Sequence, residues 1–128
     1  MSKTLAMIFG VVFVLVGLLG FVNMPILGLF EVNVLHNLVH IILGIILIAG
    51  SRSMNPKAAV SSMKTVGIIY LIVAVLGFVL VPVSGKLLGL VQMNAADNWL
   101  HLVLGVVLLI ASMSVKSEMK SSPMSSQM

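Results

Sequence analysis

No cysteine occurs among the 128 residues, which excludes disulfides, thiolate metal sites and cysteine nucleophiles. Charge is almost as scarce. Asp, Glu, Lys and Arg together make up 8% of the chain, against about 25% in an ordinary soluble domain. Serine is plentiful, but no Gly-x-Ser-x-Gly elbow, phosphate loop or zinc-binding motif accompanies it. Nothing is therefore set up to activate a nucleophile, and a non-enzymatic protein is expected.

What the chain has instead is apolar length. Hydrophobic residues account for 60% of it, and a run of roughly 18 or more can cross the hydrocarbon core as a helix. Two runs, 5–22 and 66–83, do so without interruption. Two more, 34–50 and 95–111, reach spanning length only if the polar residues at their heads lie in the membrane or at its edge. The reading is an all-α integral membrane protein with four transmembrane helices, multi-pass in the cell membrane. No small-x-small cleavage site follows the first run closely, so that run is expected to be a retained span and not a signal peptide.

The formal net charge of +4 is a topology code. With both termini on one side, that side holds Lys3, Arg52, Lys57, Lys64, Lys116 and Lys120. The other holds Lys86 with Glu31 and Asp97. Basic residues mark the cytoplasmic face, so both termini are expected there and no nucleic-acid partner is expected. Trp99 is assigned to the outer interface and Tyr70 to the inner one, where amphipathic rings prefer to sit.

The chain also repeats itself. Laid over 64–112 without a gap, 3–51 is identical at 18 of 49 positions, including Leu-Gly-Leu at 27–29 and 88–90. Leu and Val match often by chance; the Asn, His and Gly matches do not have that excuse. Each copy holds two spans, so both enter the membrane in the same sense, related by a pseudo-twofold axis along the membrane normal. The expected plan is one four-helix domain with a hinge at 51–63, punctuated by Asn55-Pro56, and a disordered tail at 115–128.

At ~100° per residue, Asn33, Asn37, His40, Gly44 and Ser51 fall on one face of the second span. Asn94, Asn98, His101, Gly105 and Ser112 repeat that stripe in the fourth. A one-sided stripe is a packing face. Asn33 and Asn94 suit helix N-caps, with Asp97 placed to complete a capping box. At ~1.5 Å per residue His40 and His101 then lie roughly 10 Å below the caps, at equal depth in the outer half of the membrane.

The strings "GLFEVNVLHNLVHIILG" and "GLVQMNAADNWLHLVLG" resemble the signature of the bacterial membrane-protein family catalogued as domain of unknown function 4383. The resemblance runs to about Ser112. It implies a four-span fold and no activity. The second copy departs from the first, with Asp97 for His36 and Trp99 for Leu38, so a role for His36 is not twofold symmetric.

Three readings of the stripe stay open. Asn and His can bridge helices by hydrogen bonds, with Gly44 and Gly105 letting backbones approach, in an accessory, scaffold or small-ligand-binding protein. His40 and His101 can be axial ligands of a b-type haem, with Gly44 and Gly105 one turn below making room for the macrocycle. The stripes can line an outward-open polar pathway with Glu31, His36 and Asp97 at its mouth. No metal ligands are assigned, the ten Met being scattered filler. The bilayer is the one definite partner, with another membrane protein or a second copy as alternatives.

Overall fold

The computed structural model describes residues 2–121. Its elements run α1 (Ser2–Val22), α2 (Val34–Arg52), α3 (Pro56–Leu80), β1 (Ser84–Leu87), β2 (Val91–Asn94) and α4 (Ala95–Ser121). Four helices are long and apolar enough to cross a membrane.

The helices α2, α3 and α4 begin where the sequence offers a cap. Asn33 accepts the backbone N–H of His36 at 2.9 Å to open α2. Asn55 accepts that of Lys57 to open α3, with Pro56 in the first turn, where its missing N–H does no harm. Asn94 and Asp97 close a reciprocal box at the head of α4: each side chain accepts the other's backbone N–H at 3.0 Å.

Three boundaries differ from the sequence reading. The third helix starts at Pro56 instead of 66, so the hinge shrinks to 53–55, and it ends at Leu80. Positions 115–121 continue α4 and are not tail, while 122–128 lie outside the described residues. The fold is also not purely helical, because β1 and β2 pair antiparallel. Their turn passes through Leu88 and Gly89, both left-handed at φ 53 and 72. The loop between α1 and α2 makes the matching turn through Leu27 and Gly28, at φ 53 and 71, closed by a bridge between Ile26 and Phe30.

Glycine sets the helix spacing. A Cβ on Gly44 would lie 2.7 Å from the carbonyl oxygen of Gly10, and one on Gly105 would lie 3.0 Å from the backbone nitrogen of Leu71. The α1/α2 and α3/α4 pairs therefore pack backbone to backbone. The core they enclose is Phe13, Leu43, Leu47, Met63, Val66, Tyr70 and Leu108. Outward-facing Ile8, Leu15, Ile42, Ile72 and Val103 form an apolar belt.

The loops before α2 and α4 are hooked together. Asn33 Nδ2 donates to the carbonyl of Leu90 at 2.9 Å, and Asn94 Nδ2 donates to that of Leu29 at 2.8 Å. Each capping side chain thus holds the other copy's turn.

Candidate functional site

Below these hooks three imidazoles meet. Ring centroids are 5.0 Å apart for His36 and His40, 5.7 Å for His36 and His101, and 6.1 Å for His40 and His101. One ring nitrogen of each lies within 4.8 Å of the other two. All three side chains are buried.

Their orientation is set from behind. His36 Nδ1 is 2.6 Å from the carbonyl oxygen of Gln92 on β2. A carbonyl only accepts, so Nδ1 carries the proton and Nε2 presents its lone pair. That Nε2 is buried without a hydrogen-bond partner, as is Nδ1 of His101. The Tyr70 hydroxyl is 3.2 Å from His40 Nδ1 and fixes the second ring. Gln92 is held in turn by Glu31, whose carboxylate accepts from the Gln92 side chain and from Ser84. Those bonds, the Ser84 one foremost, keep the Glu31 carboxyl below its ordinary 4.5.

The imidazoles and Tyr70 line a cavity of about 170 Å³, its remaining wall apolar and including Leu43, Ile69, Val73 and Leu87. The hydrophobic core that includes Phe13, Leu47, Met63 and Leu108 adjoins it, sharing Leu43 and Tyr70 with its wall.

Several site expectations change. His36 joins His40 and His101 instead of standing at a mouth, and Asp97 is buried in its capping box. Glu31 lies in the loop between α1 and α2 and ties it to Ser84 and Gln92 of the β1–β2 hairpin. Tyr70 is a buried neighbour of His40, not an inner-interface residue. Asn37 and Asn98 are not cavity residues, because they press on Gly20 and Gly77 of the adjoining helices. Asn98 Nδ2 donates to the carbonyl of Val81 at 2.8 Å, whereas neither polar atom of the Asn37 side chain has a partner.

The haem geometry does not fit. The space one turn below each histidine is filled by the neighbouring helix backbone at Gly44 and Gly105. A macrocycle centred between His40 and His101 would also overlap two rings. His36 stands 5.0 and 5.7 Å from them, and Tyr70 stands 6.0 and 5.1 Å away.

Sequence reasoning set His36 at a mouth, apart from His40 and His101, because its repeat mate is Asp97. The signal was present: at ~100° per residue His36 falls at about −60° from Asn33, between Leu43 and Leu47 on the buried arc. Tyr70 likewise shares the i, i+4 row of Val66 and Ala74, all three buried.

The family model described as "Domain of unknown function (DUF4383)" matches residues 3–114. The chain belongs to this family. The match takes in the membrane-length segments of all four helices nearly from end to end and all three histidines of the cluster. No curated protein and no solved structure matches the chain.

Proposed function

We propose that this family member is a small-ligand-binding membrane protein whose ligand is a d-block metal ion held by His36, His40 and His101. The observation that carries the reading is the buried, unpartnered Nε2 of His36, whose Nδ1 is held by the Gln92 carbonyl, in a group of three imidazoles that each place a ring nitrogen within 4.8 Å of the others. A ring whose far nitrogen donates to a backbone carbonyl is the usual arrangement of a metal-ligating histidine. Imidazole suits zinc, copper, iron and nickel.

Distance agrees with this. Nitrogens ~2.0 to 2.1 Å from a common ion lie roughly 3.3 to 3.6 Å apart. The present separations, up to 4.8 Å, close to that range with shifts of about 1 Å, within the reach of side-chain torsions. A binding role is favoured over a conduit, because the apolar core below the cluster offers an ion no polar path onward. The reciprocal Asn33 and Asn94 bonds support the pseudo-twofold relation of the copies. The charge distribution supports a cell-membrane protein with both termini inside.

Metal retention tests the reading. Purified in detergent, stripped by chelator, incubated with each ion and desalted, the protein should keep about one equivalent. His36→Ala, His40→Ala and His101→Ala should each keep less than a tenth of that. A helical wild-type protein that retains no ion, or variants that retain it as well as wild type, would sink the proposal.

A further inference from the structure

We infer that the cluster selects monovalent copper, Cu(I), over the divalent ions that imidazole also accepts. The inference rests on the metal-binding reading above and names the ion that the site takes.

The donor set carries no charge. Among the described residues the grouping consists of three histidines alone, with no carboxylate in it. The nearest acids are committed elsewhere. Asp97 accepts the Asn94 backbone N–H in the cap of α4, and Glu31 accepts from Ser84 and Gln92 in the loops. A bound ion therefore keeps its full charge, in a cavity whose other walls, Tyr70 aside, are aliphatic and which lies among helices long and apolar enough to cross a membrane. The self-energy of an ion grows as the square of its charge, so a divalent ion is about four times as costly to desolvate as a monovalent one of similar size. Structural zinc sites commonly offset this with thiolates or carboxylates. This site has neither.

Coordination number points the same way. Three nitrogens converge, and Tyr70, the other polar side chain on the cavity, faces the back of His40 instead of competing for the ion. Zinc in a three-histidine site completes a tetrahedron with water. Here the space beside the imidazoles is lined by Leu43, Ile69, Val73 and Leu87, which offer a water no second hydrogen bond. Cu(I), a closed-shell d10 ion, is satisfied by three donors in a trigonal plane, and three neutral imidazoles supply them without a fourth. No change of oxidation state is involved: the ion enters, binds and leaves as Cu(I).

The test is a pair of competitions on detergent-purified full-length protein. Under argon with ascorbate, Cu(I) is titrated against the chromophoric chelator bicinchoninate. In parallel, Zn(II) is titrated against a chromophoric zinc chelator, and Co(II) is followed by its visible ligand-field bands. One equivalent of Cu(I) should be withdrawn from bicinchoninate, with a dissociation constant at least about 100-fold below that for Zn(II). X-ray absorption should show three nitrogen donors. His36→Ala should abolish the withdrawal with helicity unchanged; if that variant fails to fold, His36→Asn takes its place. Tyr70→Phe, which loses only the hydroxyl that orients His40, should weaken Cu(I) binding by about three- to tenfold and leave the three-nitrogen X-ray absorption signature unchanged.

Zn(II) or Co(II) bound as tightly as Cu(I), or lost with Tyr70→Phe as a phenolate ligand would be, overturns the selectivity and leaves the metal-binding reading standing. Failure to retain any of the three ions overturns both.

Discussion

At the scale of single residues, the duplicated asparagines show how one side chain can do two different jobs. Asn98 gives Nδ2 to the Val81 carbonyl at the end of α3, while Asn37 sits against Gly20 with both polar atoms unpartnered. Removing Asn98 strands a carbonyl in hydrocarbon; removing Asn37 strands nothing. Asn98→Ala should therefore lower stability by about 1 to 2 kcal/mol, in the range of interhelical hydrogen bonds in membranes. Asn37→Ala should cost less than half as much. Thermal unfolding in a single detergent compares the two, and equal losses would show that the Val81 bond contributes little. Sequence alone placed both asparagines on a packing face, and both are buried. It could not separate their roles, because the difference lies in the partner helix: α1 still winds through Gly20, whereas α3 has ended by Val81.

At the scale of elements, packing rests on glycine and the loops rest on asparagine. A Cβ on Gly44 would meet the Gly10 carbonyl and the Val14 nitrogen, both backbone atoms that no rotamer change can move. Gly44→Ala must push α1 and α2 apart, with an expected loss of about 1 to 3 kcal/mol. Unfolding in mixed micelles with increasing denaturing detergent would register it. An unchanged midpoint would mean that the helices are less tightly apposed than the geometry requires. The spans themselves were legible, since runs of apolar residues over a bilayer's thickness have few other uses. The strands were not. Ser84–Leu87 and Val91–Asn94 carry four residues each, too few for a period-2 pattern to stand out. The turn between them puts Leu88 at a positive φ that sequence rules reserve for Gly or Asn. The three-histidine cluster was half legible: His40 and His101 announced themselves by repetition, and His36 was hidden by the lack of it.

At the scale of the whole molecule, the absence of cysteine becomes an experimental advantage, since any introduced thiol is the sole target for labelling. Met54, between α2 and α3, is 97% exposed and Leu88, in the outer turn, is 70% exposed. If the side that holds six of the seven basic residues is the inner one, as proposed, a membrane-impermeant maleimide applied to intact cells should label Leu88→Cys at once and Met54→Cys only after lysis. The opposite pattern would invert the molecule and place the histidines in the inner leaflet. The substitution of Asp97 for His36 has a consequence of its own. A two-helix unit pairing with an identical copy must carry the same residue at both positions, because closed twofold assemblies present one surface twice. It would hold either four histidines with no capping acid, or two histidines and two buried carboxylates. Joining the copies in one chain lifts that constraint: one half donates a ligand where the other fastens its helix, an odd-numbered coordination set that no symmetric dimer of the unit can build.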